Sequence, residues 1–315
     1  MPIDKNILIS GSLVYDRIMD FHGFFKDHIL PDKIHILNVS FVVDDIKESF
    51  GGTAGNIAYN LALLDEKPKI LGLVGDDFPK YADWLKKNKV DISQVATIKG
   101  KKTACAYIMT DQANSQITGF YGGPVQKEYC AIVKKQKSIG LAIIAPENKE
   151  RMLTYAKMYK KLKIPYIFDP GQQITAFSAD DFKTAIVGSK MVIGNDYEIQ
   201  LIMDRMKINL EKLKKMTATI IITKGEEGSE IYSQNKKIII PPAKPKNTCD
   251  PTGAGDAYRA GVIKGILEGW SWEKTGRLAG LLAVYTVEKY GTQTHKFNKK
   301  ALTRRYQENF HELLF

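Results

Sequence analysis

Met191-Val192-Ile193-Gly194 and Thr219-Ile220-Ile221-Ile222-Thr223 stand at the two ends of a stretch with helical patterning at 196–203 and 210–216. The second run is continuously apolar and β-branched at its centre, which is how a strand buried on both faces reads. Two such strands with helices between them make a βαβ unit, and hence a parallel sheet. Outward from this unit the alternation repeats. Short apolar strands are expected at 6–10, 69–74, 141–145 and 166–169, and helices at 54–64, 78–88, 126–135 and 148–161. The expectation is a central, mostly parallel sheet with helices on both faces. A hairpin is expected at 228–240, turning at Ser233-Gln234-Asn235, and mainly helix follows Gly255. Two longer strand-like stretches, 35–49 and 103–120, break the rhythm. We read them as a small β lid drawn from about 13–48 and 103–122, within a single domain spanning 1–315.

Composition narrows the function. The three cysteines, Cys105, Cys130 and Cys249, form no CxxC pair, so neither a disulfide framework nor a zinc site is indicated. No apolar stretch is long enough for a membrane helix or a signal peptide, so a cytoplasmic protein without membrane partners is expected. The net charge is +11, which raises the question of nucleic acid. Only seven of the 46 basic residues are arginine, the main reader of base edges, and the lysines are scattered. A small-molecule substrate fits this better than nucleic acid.

The segment richest in chemistry is Asp250-Pro251-Thr252-Gly253-Ala254-Gly255-Asp256, which runs into a helix. Three small residues at a helix start leave backbone N–H groups bare. Together with the helix dipole they form an anion site suited to phosphate. Asp256 beside that phosphate can take a proton from an attacking hydroxyl. Read alone, the same aspartate could simply cap the helix.

Gly51-Gly52-Thr53-Ala54-Gly55-Asn56 opens another helix. Its glycines allow a ligand close to the backbone, and Asn56 can both donate and accept. Asp16 follows the first strand, at the end of the sheet where ligands gather, and is placed to accept hydrogen bonds from two vicinal hydroxyls; read alone, it could be an ordinary solvated loop aspartate. Asn195 and Glu198 can share one side of a helix start. Walker-type and protein-kinase signatures are absent.

With these strings in hand, the chain resembles the ribokinase/PfkB family of carbohydrate and nucleoside kinases, most closely its prokaryotic adenosine kinase-like nucleoside kinases. The resemblance runs in order from Gly11 to Gly291. It implies a ribokinase-like α/β fold and ATP-dependent phosphorylation of a nucleoside 5′-hydroxyl, with ATP and Mg²⁺ as cofactors and K⁺ as a further candidate. In this frame Asp256 is the base, with Gly253, Ala254 and Gly255 as anion hole. Asp16, Gly51, Gly52 and Asn56 hold the acceptor. Asn195, Thr223, Gly225, Gly228 and Gly291 border ATP, and Glu198 acts on magnesium through water. The base-stacking aromatic of animal adenosine kinases is missing after Ala145-Pro146, which leaves Phe120 and Tyr121 of the lid as candidates to stack on a base, with lid packing or a dimer contact as their alternative role. Glu147 could instead bind a sugar hydroxyl, which keeps open a sugar kinase with a ribose- or fructose-type acceptor. A non-catalytic small-molecule or nucleic-acid binding protein is the alternative of another class. A monomer, or a homodimer through the lid, is expected.

Overall fold

The computed structural model describes residues 6–29, 38–113, 115–124 and 139–315. The chain starts with β1 (Ile7–Ser10), enters the lid through β2 (Val14–Asp20) and β3 (Ile46–Gly51), and turns directly into α1 (Thr53–Leu63). It returns through β4 (Pro68–Val74), α2 (Pro79–Lys87) and β5 (Asp91–Thr97), then completes the lid with β6 (Ala104–Thr110) and β7 (Gln116–Tyr121). The main sheet resumes with β8 (Leu141–Ile144), α3 (Lys149–Lys161), β9 (Tyr166–Phe168), α4 (Ala179–Ile186) and β10 (Met191–Asn195). Then come α5 (Asp196–Met206), α6 (Leu210–Lys214), β11 (Thr219–Thr223), and the hairpin β12 (Ser229–Ser233) and β13 (Lys236–Ile240). Three helices close the described chain: α7 (Ala254–Glu268), α8 (Trp272–Val287) and α9 (Lys299–Phe310).

The main sheet has the order β13-β12-β11-β10-β9-β8-β1-β4-β5. Its pairs are parallel from β5 through β11 and antiparallel only in the terminal hairpin. Two apolar layers pack on opposite faces, one under α1, α2 and α7, the other under α3, α4 and α5. The chain leaves β1 towards β4 on one side and later returns to β8 on the other. β1 is therefore a switch point, where neighbouring loops diverge and leave a crevice beyond the strand ends.

The strands expected from apolar runs are present, within a residue or so at their ends. Two elements were not expected. β5 is an edge strand with only partial burial, so its residues alternate weakly. α4 is a short helix whose start was readable. Ser178 accepts from the Asp181 N–H, and Asp181 accepts from the Ser178 N–H, a full capping box. The stretch expected as one strand at 103–120 is two. Asp111 Oδ1 accepts from the amides of Ala113 and Ser115 and turns the chain back on itself. In the 35–49 stretch the described strand begins only at Ile46. The expected helix at 126–135 and Cys130 lie outside the described residues.

The lid is a four-stranded sheet in the order β3-β2-β6-β7. Its underside is tied down by aromatics. Tyr15 and Phe50 pack on Tyr81 of α2, with ring centroids 5.8 and 4.5 Å away. The β12–β13 hairpin turns at Gln234 and Asn235, both with positive φ, as a two-residue hairpin turn requires.

Candidate active site

A cleft of about 430 Å³ opens between the lid and the carboxyl ends of the parallel strands. Its floor comes from segments that follow strands: Ser12 after β1, Pro146 after β8, Asp169 after β9 and Glu198 after β10. Its wall is the start of α7. Its roof is one face of the lid. There Asp16 pairs laterally with Ala106, and Ala106 with Phe120, so the three side chains share a face.

Asp16 is thus a strand residue of the lid. Strand β2 departs soon after β1, so the lid begins almost at the end of the main-sheet strand. The carboxylate lies over Gly51, at a spot a Cβ on that residue would occupy. Burial and the nearby charge of Asp250 push Asp16 up to about 6. Gly52 takes φ 87°, and a Cβ there would meet the Ser12 carbonyl, 2.6 Å away. That left-handed backbone is the reason for glycine at the turn into α1.

Asn56, in the first turns of α1, donates from Nδ2 to Asp256 Oδ2 at 2.8 Å. Residues 200 positions apart are so joined across the cleft. Asp256 sits in the first turn of α7, whose N-cap Gly253 has φ 80°. The first i→i−4 bond of that helix is donated by Ala257 to the Gly253 carbonyl. The Gly255 and Asp256 amides precede it, as an anion site at a helix start needs. Burial pushes Asp256 up to about 7, with Asp169 adding to the rise and Asn56 and Arg259 opposing it. A carboxylate titrating near neutrality is suited to general-base work.

Two further cleft residues were not anticipated. Arg259 donates through Nε and Nη2 to the two oxygens of Asp169, at 2.6 and 2.8 Å, and through Nη1 to the Gly255 carbonyl at 3.1 Å. This buried bidentate pair braces the α7 turn from below. The available signal was a carboxylate closing strand β9. Its partner, 90 residues away, carried none.

Asn195 and Glu198 form a reciprocal capping box at the start of α5. Asn195 Oδ1 accepts from the Glu198 N–H at 2.7 Å, and Glu198 Oε2 from the Asn195 N–H at 2.8 Å. Glu198 lines the cleft, whereas Asn195 is exposed beyond it. Burial raises Glu198, with Asp169 adding and Arg259 opposing. Among the described residues no group of three His, Cys, Asp or Glu is placed to hold a metal on its own. A magnesium ion arriving on nucleotide phosphates needs only one such carboxylate through water, and Glu198 fits that part.

Of the remaining candidates, Gly51 is buried and gives its carbonyl to Tyr81 OH. Gly253 and Gly255 line the cleft, with Ala254 between them. Thr223 ends β11 and Gly225 and Gly228 follow it; none of the three lines the cleft. The Gly291 amide donates to Asp250 Oδ2 at 3.1 Å, fastening the segment after α8 to the loop before α7. Glu147 also stands outside the cleft. It is buried in a 2.7 Å ion pair with Arg151, which supplies the partner that a sugar hydroxyl was expected to supply.

The cleft thus brings together a helix start, an adjacent carboxylate of raised proton affinity and a lid strand that carries a second carboxylate. The chain belongs to the pfkB family of carbohydrate kinases, whose pattern matches residues 10–299. It is 29% identical over 303 residues to a nucleoside kinase of Methanothermobacter thermautotrophicus, covering 94% of this chain and 93% of that one. Among solved structures, it resembles Burkholderia thailandensis nucleoside kinase in complex with inosine, with a TM-score of 0.87, 32% identity and coverage of 98% and 99%. The same enzyme in complex with ADP-inosine matches with a TM-score of 0.83, 34% identity and coverage of 98% and 97%. The fold is ribokinase-like.

Proposed function

We propose that this kinase transfers the γ-phosphoryl group of ATP to the 5′-hydroxyl of a ribonucleoside, with Asp256 as base. The observation that supports this is the 2.8 Å contact between Asn56 and Asp256, which joins the start of α1 to the start of α7 within one cleft. The similarity to nucleoside kinases supports a nucleoside rather than a free sugar.

Asp16 accepts hydrogen bonds from the two vicinal ribose hydroxyls, and the Gly51-Gly52 turn lets the ribose approach the backbone. Phe120, on the same lid face, covers the base. The triphosphate runs from the α7 start along the carboxyl ends of β10 and β11, towards Thr223 and Gly225. Magnesium, when bound with ATP, neutralises charge on the phosphates; Glu198 would hold it through water. In the transfer step, Asp256 accepts the proton of the 5′-hydroxyl as that oxygen bonds to the γ-phosphorus. The bond from phosphorus to the bridging oxygen breaks, and ADP leaves with the electron pair. Gly253, Gly255 and the first-turn amides receive the charge on the transferring group. The monovalent cation rests on the family resemblance alone.

The test is an acceptor panel with ATP and magnesium, read by ADP release. Adenosine, inosine and cytidine are expected to exceed ribose and fructose 6-phosphate in kcat/KM. A site built around a hydroxyl can reject the analogue lacking it by up to about 10⁴-fold. 2′-Deoxyadenosine is therefore a poor acceptor for the wild type, and Asp16→Ala removes most of that difference. A free sugar ranking above every nucleoside overturns the proposal.

A further inference from the structure

Behind Asn56 runs a chain of hydrogen bonds between segments far apart in sequence. Trp84 Nε1 on α2 donates to Gln293 Oε1 at 3.0 Å. Gln293 Nε2 donates twice, to Asn56 Oδ1 at 3.0 Å and to Tyr81 OH at 2.6 Å. Tyr81 donates in turn to the Gly51 carbonyl at 2.8 Å, and Asn56 Nδ2 to Asp256 Oδ2 at 2.8 Å. Tyr81, Asn56 and Gln293 are buried.

Chemistry permits one polarity for this chain. An indole N–H only donates, and a backbone carbonyl only accepts. Gln293 must therefore turn its oxygen to Trp84 and its nitrogen to Asn56 and Tyr81. Tyr81, already accepting, has its single proton left for Gly51. Asn56 accepts at Oδ1 and so must present its nitrogen to Asp256. By size alone an asparagine amide could sit either way round, and against a protonated Asp256 its oxygen could accept. In this setting a flipped Asn56 would set nitrogen against nitrogen at Gln293 and oxygen against oxygen at Asp256.

We infer that Gln293, oriented by Trp84, is a positioning residue that locks the Asn56 amide nitrogen onto Asp256. The lock holds negative charge on Oδ2 and leaves Oδ1 for the proton of the acceptor hydroxyl. Through Tyr81 the same glutamine fixes the Gly51 carbonyl, and with it the turn under the acceptor. The inference rests on the reading of Asp256 as the base. Besides Asn56, the charged groups around Asp256 are Arg259 on its own helix, Asp169 after β9, and Asp16 and Glu198, which line the same cleft. Substitutions at Trp84 and Gln293 leave all of these in place.

The test is the pH dependence of kcat, at saturating ATP and acceptor, for wild type, Trp84→Phe and Gln293→Leu. Both variants keep the net charge, and thermal unfolding checks the fold. Loss of a donor to the ionised carboxylate raises its proton affinity. The acid limb is expected to move to higher pH in the order wild type, Trp84→Phe, Gln293→Leu, by about one pH unit in the last. The loss of kcat is then larger at pH 6 than at pH 8, whereas mere loosening would lower kcat equally at every pH. A folded Gln293→Leu with an unmoved acid limb overturns the inference. If Gln293→Leu does not fold, Trp84→Phe decides by the same criterion. Asp256→Asn separates the two levels. Wild-type turnover in that variant would sink the base assignment itself, while an inactive Asp256→Asn beside an unmoved limb in Gln293→Leu would sink only the relay.

Discussion

Strands β1 and β8 of the main sheet are buried from end to end, whereas β7 of the lid is exposed along its whole length. The main sheet is clad by helices on both faces. The lid is held by one face only, where Tyr15 and Phe50 meet Tyr81. Its other face carries Asp16 and Phe120 into the cleft. The difference divides the labour. The groups proposed to handle the transferring phosphoryl, Asp256 with the Asp169–Arg259 brace, stand on thickly packed elements, where position is best maintained. The groups proposed to select the acceptor, Asp16 and Phe120, stand on a thin sheet with fewer buried contacts, the kind of region drawn from the low-stability end of a fold.

The largest effect is expected on the main-body side. Asp256→Asn keeps the size of the side chain but removes its basicity, and kcat is expected to fall by about 10²-fold or more with KM little changed. The same variant sharpens the point through stability. A folded-state value of about 7, above the ordinary carboxylate value, means that the folded chain binds this proton more tightly than the unfolded chain. Stability is then lost as pH rises from about 4 to about 7. Asparagine does not titrate, so Asp256→Asn should melt higher than wild type at pH 8, with the gap closing towards pH 4. A full-activity variant, or one with an unchanged melting profile, would break the assignment of chemistry to the main body.

A lid substitution should behave differently. Phe120 is 56% exposed. Phe120→Ala should leave thermal stability nearly unchanged while raising the nucleoside KM about tenfold, the scale of one lost aromatic–base stack. Steady-state kinetics with saturating ATP checks this, and a kcat effect without a KM effect would contradict the division. The smallest effect is expected at Glu198. Glu198→Gln should raise the magnesium concentration for half-activity by a few-fold, since a single water-mediated carboxylate is replaced by a neutral amide. An unchanged magnesium curve would leave the pair with Asn195 as a helix cap alone.

What the sequence determined by itself is what depends on neighbours along the chain. Continuous apolar runs such as Ile220-Ile221-Ile222 specify buried strands, and positive-φ turns call for Gly52 and Gly253, which in turn mark the starts of α1 and α7. These local signals located the two halves of the site, and the order of motifs carried the family resemblance. Tertiary structure alone decided how the halves meet. Asp169 and Arg259 are 90 residues apart, and Asn56 and Gln293 are 237 apart. No periodicity or turn preference reaches that far. The pairing of β2 with β6, and of β6 with β7, set Asp16 on one face with Phe120, and Glu147 turned to Arg151 of α3 and away from the cleft. Side-chain partners of this kind follow from which strands pair and which helices cover them, so they appear only once the sheet is assembled.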